Sequence, residues 1–295
     1  MKRIAVIGSI NMDMVLNVEH IPAVGETIIA DGVNYHYGGK GANQAIAAAR
    51  LGAEVTFFGC VGNDEFADKL VDNLKKNHVF TEYIDRVGGS SGLAIIASST
   101  DNSIIVNSGA NQKVDVEYVK KYEADILDND IIIIQNEIPF ASIELLVNIL
   151  HANHKIIIYN PAPGDVRSFF MVNKVDYLTP NETETELIFG SNNYQRLIEQ
   201  YPNKLILTLG EKGAAYFDGD KVKKIRSIDV DVVDTTGAGD TFNGAFAYAL
   251  ANDKELEDAV RFAVVASGLS VSKNGAQEGI PTLEEVNNYL KKKHK

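Results

Sequence analysis

Short runs of β-branched and aromatic residues recur along the chain at Ile4 to Ile7, Val55 to Phe58, Ile131 to Ile134, Ile156 to Tyr159 and Leu205 to Leu207, separated by helix-length stretches. Runs that are apolar at consecutive rather than alternate positions predict strands buried on both faces, as in a parallel sheet covered by helices on each side. The intervening stretches carry helix signals. Asn43 to Leu51 is alanine-rich, Glu65 to Asn77 is amphipathic, Ser142 to Ala152 follows a proline, and Thr241 to Ala251 begins beside the densest glycine cluster. Two segments break this rhythm, Asn11 to Tyr37 and Gly92 to Asn107, where strand-like residues and turn residues follow one another without a helix between them. They predict a small antiparallel sheet outside the main body, a lid, with a hairpin turn at Asp101-Asn102. The chain shows no internal repeat or Pro/Ser-rich linker. The lid is therefore expected as an insertion (residues 11–37 and 92–107) into one core (1–10, 38–91 and 108–295).

Composition narrows the class. At 295 residues, 45% hydrophobic and 23% charged, the chain can bury a substantial core, and disordered and fibrous classes drop out. The net charge of −12 disfavours a nucleic-acid partner and favours a small neutral one. A single cysteine, Cys60, excludes an intrachain disulfide framework, and the opening residues lack a signal-peptide pattern, so a cytoplasmic location is expected. No apolar run approaches the roughly 20 residues needed to cross a bilayer. The basic tail Lys291 to Lys295 follows the amphipathic TLEEVNNYL and most simply supplies cations to a helix C-terminus. The six histidines, at 20, 36, 78, 151, 154 and 294, form no metal-binding pattern.

Candidate chemistry concentrates in DTTGAGDTFNGA, Asp234 to Ala245. Gly237, Ala238 and Gly239 give a turn of little side-chain bulk, and the apolar-periodic run after it predicts a helix. Backbone N–H groups at such a turn cradle negative charge, reinforced by the helix dipole. A carboxylate there, Asp240, would repel a phosphate unless it had another duty, such as taking a proton from an attacking hydroxyl. A helix cap over a tight turn accounts for the same spacing. No G-x-x-x-x-G-K-[ST] loop occurs, and Phe242 stands where a third glycine would complete G-x-G-x-x-G, which argues against a P-loop enzyme and a dinucleotide fingerprint.

DTTGAGDTFNGA resembles the C-terminal signature of the ribokinase-like, PfkB-type carbohydrate kinases, and YGGKGANQA, Tyr37 to Ala45, resembles their N-terminal one. GSINMD (8–13), NPAP (160–163), TPNETE (179–184), LTLGEKGA (207–214) and NGAQ (274–277) extend the resemblance over essentially the whole chain. It implies a doubly wound α/β core, with a mostly parallel sheet flanked by helices and ligands at the C-terminal edge of its strands. It also implies ATP with Mg²⁺, and a neutral sugar such as ribose as acceptor.

Residue by residue, the resemblance makes Asn11, Asp13, Gly38, Gly39, Lys40, Asn43 and Glu137 sugar contacts, with Asp240 as general base and Gly237, Ala238 and Gly239 as the anion cradle. Asn181, Thr208, Gly210, Glu211, Gly213 and Gly239 fall on the nucleotide side. Asn181 and Glu184 belong to an N-x-x-E element that organises Mg²⁺, whose oxygen ligands suit a partly hydrated ion; by itself TPNETE is a helix start. A monovalent cation, usually potassium, is implied near Asp234, Thr236, Ser270, Lys273, Gly275 and Gly279. Gly279 departs from the usual serine, which removes a hydroxyl ligand, and Val264 departs from a polar residue near adenine. The exposed edge of a lid sheet invites a homodimer. The expected reaction is transfer of the ATP γ-phosphoryl to the 5-hydroxyl of ribose. Alternatives are the same chemistry on 2-deoxyribose or another neutral sugar or nucleoside, and a sugar-binding regulator without turnover.

Overall fold

The computed structural model describes residues 1–99 and 102–292; the turn expected at Asp101-Asn102 and the end of the basic tail lie outside the described residues or side chains. The chain opens with β1 (Ile4–Ile7), leaves the core for β2 (Asn11–Asn17) and β3 (Gly32–Gly38), and returns through α1 (Lys40–Arg50) to β4 (Val55–Val61), α2 (Ala67–Lys76) and β5 (Phe80–Arg86). A second excursion, β6 (Gly92–Ser98) and β7 (Asn102–Asn107), precedes α3 (Val116–Lys121), α4 (Glu123–Leu127), β8 (Ile131–Gln135), α5 (Phe140–Ala152) and β9 (Ile156–Asn160). There follow β10 (Tyr177–Leu178), α6 (Glu182–Phe189), α7 (Tyr194–Gln200), β11 (Leu207–Thr208), β12 (Ala214–Phe217) and β13 (Val222–Ile225). Three helices, α8 (Ala238–Ala251), α9 (Leu256–Ser270) and α10 (Leu283–Lys292), complete the described chain.

Six strands form one sheet in the order β10-β9-β8-β1-β4-β5, every pair parallel. The unbroken apolar runs have a direct cause. Ile4, Val6, Ile131 and Ile133 enter the core on one face, while Ala5, Ile7, Ile132 and Ile134 enter the core on the other. Strand order runs outward in opposite directions from β1, so the C-terminal strand ends open onto a crevice between β1 and β8. Against the first face, α1 packs on α8 so closely that a Cβ on Gly244 would lie 2.5 Å from Ala47 Cβ and from the Gln44 carbonyl oxygen. The alanines of α1 and this glycine bring the two signature segments together.

The lid strands form a separate sheet, β3-β2-β6-β7. It is mixed rather than antiparallel: β2 pairs with β3 and β6 with β7 in antiparallel fashion, but β2 and β6 are parallel. Both excursions leave the same edge of a parallel sheet, after β1 and β5, so their first strands point the same way. The run at Leu205 to Leu207 also departs from expectation. Leu205 bridges β10 in parallel, but Leu207 and Thr208 pair antiparallel with β12. Because β10 is only two residues long, it offers little edge to extend, and the chain turns into a three-stranded sheet, β11-β12-β13.

Candidate active site

The glycine cluster is the start of α8 itself. Gly237 is the N-cap with φ 75°, and Ala238, Gly239 and Asp240 occupy the first turn, so the helix begins three residues before the expected Thr241. A Cβ on Gly237 would meet the Ala276 carbonyl oxygen at 2.8 Å, which, with its positive φ, restricts this position to glycine. Gly239 has open space where a side chain would stand. Helix geometry leaves the first-turn N–H groups without intrahelical acceptors, and here they face a cavity of about 300 Å³ at the sheet's C-terminal edge.

Asp240 lines that cavity, although its residue is only 6% exposed. Burying a carboxylate is tolerable only with hydrogen-bond donors. Asn43 Nδ2 donates to Oδ2 and Gln44 Nε2 to Oδ1, both at 2.9 Å. Behind Asn43, Gln277 Nε2 donates to its Oδ1 at 2.8 Å. The Asn43 amide is thus engaged by the base and by Gln277, a role other than the free sugar contact expected of it. Lys40 also departs from its expected sugar-side place. Its backbone N–H donates to Glu137 Oε2 at 3.0 Å, but its side chain lines the phosphate-facing cavity with Asn181 and Glu184. Asp240, and more weakly Glu137 and Glu184, raise the Lys40 pKa against the opposing effect of burial, so Lys40 stays a cation among carboxylates.

The nucleotide-side positions Asn181, Thr208, Gly210, Gly213 and Gly239 line the same cavity, together with the buried Val264. Thr208 Oγ1 donates to the Pro180 carbonyl, and Gly213 has φ 91° with no room for a Cβ, which would meet Ile225 O at 2.0 Å. Glu211 does not belong to this set: it is exposed and contributes nothing to the cavity wall. Asn181 and Glu184 form the capping box of α6, with Asn181 Oδ1 accepting from the Glu184 amide and Glu184 Oε2 from the Asn181 amide. Burial pushes the Glu184 carboxyl upward. The helix start and the oxygen-donor site are the same structure.

On the sugar side, Asn11 and Glu137 line a neighbouring cavity of about 200 Å³. Asn11 Oδ1 accepts from Asn111 Nδ2 at 2.7 Å, and Glu137 Oε2 accepts from Ser9 Oγ at 2.5 Å. Gly39, the N-cap of α1 with φ 90°, lies so near the chain leaving β1 that a Cβ would be 2.8 Å from the Asn11 amide nitrogen. Gly38 is closed off by Asp13, whose Oδ2 would be 2.1 Å from a Cβ there. Burial first, then Glu137, Asp240 and Glu278, push the Asp13 carboxyl up to about 7.

The positions expected around a monovalent cation converge beside the cradle. Asp234 accepts from the Thr236 and Gly275 amides, each at 2.9 Å; these bonds outweigh burial and hold its carboxyl below the usual range. A Cβ on Gly279 would lie 2.6 Å from Ser270 O and 3.0 Å from Gly275 O, so both carbonyls face the same small space. Lys273 sends its side chain away, into an ion pair with Glu285, and only its backbone can serve such a site.

Several site residues escaped sequence reasoning: Gln44, Asn111, Gln135 and Asn243 in α8, besides Asn160, Thr179 and Gln277, which lie in motifs quoted above without assigned roles. Buried amides among apolar residues were the available signal at Gln44 and Gln135.

Comparison with known proteins agrees with this geometry. Residues 1–283 match the pfkB family carbohydrate kinases. The chain is 42% identical over 293 residues to the ribokinase of Lactococcus lactis subsp. lactis (strain IL1403), covering 99% of this chain and 98% of that protein. It is 43% identical over 292 residues to the ribokinase of Bacillus subtilis (strain 168), covering 98% and 100%. The solved structure of Arabidopsis thaliana ribokinase complexed with ribose and ATP has a TM-score of 0.89 at 31% identity, covering 98% of this chain and 99% of that one. With the cradle, the buried carboxylate and the lid all present in one chain, the protein belongs to the pfkB family of carbohydrate kinases.

Proposed function

We propose that the protein transfers the γ-phosphoryl group of ATP to the 5-hydroxyl of D-ribose. The observation that carries this reading is Asp240, a buried carboxylate in the first turn of α8, where unpaired amides face the larger cavity. In this reading ATP lies in that cavity and the sugar beneath the lid, near Asn11, Asp13 and Glu137. Asp240 accepts the hydroxyl proton as the oxygen attacks phosphorus, and the Gly239 and Asp240 amides, with Lys40, hold the charge on the equatorial oxygens. The likeness to ribokinases at 42% and 43% identity supports ribose as the acceptor.

The cavity's donor set fits Mg²⁺, because Asn181 and Glu184 offer oxygen only and leave room for the water this ion keeps. Mg²⁺ bound with ATP would neutralise phosphate charge there. The facing carbonyls of Ser270 and Gly275, beside Asp234, support a potassium-type site. Ile104, Ile105, Val33 and Tyr35 leave apolar surface exposed on the lid, which supports a homodimer formed through it. Cys60 is buried and suits a reducing compartment such as the cytoplasm.

The test is ADP release from ATP and Mg²⁺ over a panel including ribose and 2-deoxyribose, with and without K⁺. The parent should prefer ribose, and Asp240→Asn should lower kcat by roughly 10² or more while ribose and ATP still bind. Near-normal turnover by that variant would end the assignment, and a preference for 2-deoxyribose would move it to the deoxy sugar.

A further inference from the structure

The amides around Asp240 form a directed chain. An ionised carboxylate only accepts hydrogen bonds, so the amides facing it must present N–H. Turning the Gln44 NH₂ toward Asp240 turns its Oε1 away, and there Gln135 Nε2 donates to it at 2.7 Å. Gln135 is fully buried, and its own Oε1 finds no protein partner. Reversing Gln135 would set two amide oxygens against each other, so its orientation is fixed by Asp240 through Gln44.

Gln44 uses Nε2 twice. Besides Asp240, it donates to Asn160 Oδ1 at 3.1 Å. Asn160 Nδ2 donates to the Thr179 carbonyl, Thr179 Oγ1 to Asn243 Oδ1 at 2.6 Å, and Asn243 Nδ2 to the Gly239 carbonyl at 2.8 Å. One buried amide is therefore bonded to the carboxylate and, through β9 and the chain after β10, to a peptide of the anion cradle. A carboxylate rotates about its side-chain bonds and a helix start frays; a shared tie to the sheet restricts both.

We propose that Gln44 is a positioning residue, which fixes the Asp240 carboxylate in register with the Gly239 peptide. This rests on Asp240 being the general base. It does not require Gln44 to touch either substrate: Gln44 is fully buried and lines neither cavity.

The experiment is a double-mutant cycle on the full chain, with Gln44→Met, Asp240→Asn and the double variant, following kcat and the KM for ribose and ATP. Gln44→Met keeps the side-chain length and removes the donor. Misplacing a reacting group costs up to about 10² in rate, so kcat should fall about 10-fold to 100-fold while each KM moves less than about threefold. In the Asp240→Asn background, where no base is left to orient, the same change should cost less than about twofold. Unchanged kcat in Gln44→Met, or an equal loss in both backgrounds, overturns the proposal. High turnover by Asp240→Asn alone overturns the underlying base assignment instead, so the two failures are distinguishable. Should Gln44→Met not fold, the same cycle is run with Gln135→Met, which removes the donor behind Gln44; a loss absorbed by Asp240→Asn supports the proposal and an additive loss overturns it.

Discussion

Asn181 and Glu184 cap each other: Asn181 Oδ1 accepts from the Glu184 amide at 2.8 Å, and Glu184 Oε2 accepts from the Asn181 amide at 2.9 Å. The exchange satisfies two otherwise orphaned groups at the start of α6 and fixes both side chains against the nucleotide-side cavity. It engages one oxygen of each residue. Glu184 Oε1 is left for a metal-bound water.

Capping and metal support can be separated by Glu184→Gln. The glutamine Oε1 can still accept from the Asn181 amide, so the capping box survives and the folding free energy should change by less than about 0.5 kcal/mol. The negative charge is lost, so the Mg²⁺ concentration giving half-maximal rate should rise at fixed ATP. Thermal unfolding and an Mg²⁺ titration of the rate check the two halves. An unaltered Mg²⁺ requirement would make Glu184 a cap alone.

Asp13 predicts a pH dependence. Burial and the neighbouring carboxylates Glu137, Asp240 and Glu278 push its carboxyl from the model-peptide value of 3.8 up to about 7. Between these values the folded chain holds a proton that the unfolded chain has released, so this group lowers stability as pH rises through that window and adds nothing further above it. Asparagine carries no such charge. The melting temperature of Asp13→Asn relative to the parent should therefore climb from about pH 4 to about pH 7 and level off, measured without sugar. The same variant should raise the KM for ribose about tenfold or more, since it loses a charged acceptor. A melting-temperature difference that is flat with pH would remove the titration from Asp13.

The central strands were legible in the sequence because burial on both faces leaves an unbroken apolar run, as at Ile131 to Ile134. Strand β5 was not, because FTEYIDR lies at the sheet edge and exposes alternate residues. Polar side chains there mark solvent, not the absence of a strand. The base and its cradle were legible for a similar reason: glycines and a carboxylate at a helix start leave few structural alternatives. What stands behind them was not, since Gln44, Gln135 and Asn243 acquire their roles only when α1, β8 and α8 meet. A buried amide has no sequence signature apart from its apolar surroundings, and its partners lie 91 and 196 residues away in the case of Gln44. The mixed lid was hidden likewise, because strand direction depends on where each excursion leaves the core.

Gly279 stands where the family commonly carries serine, and packing in this chain supplies the reason. A Cβ there would be 2.6 Å from Ser270 O and 3.0 Å from Gly275 O, both backbone atoms that cannot swing aside as a side-chain tip can. Gly275 is further tied down by its amide, which donates to Asp234, and by the Gly279 amide, which donates to its carbonyl at 3.0 Å. Gly279→Ser should therefore force this loop apart, at a cost of about 1–3 kcal/mol, the usual range for overpacking, read as a lower melting temperature. The displaced carbonyls are those offered to the monovalent cation, so the K⁺ concentration for half-maximal rate should rise in the variant although a hydroxyl has been added. An unchanged melting temperature with a lower K⁺ requirement would mean that the loop has room for the hydroxyl and that packing does not dictate this glycine.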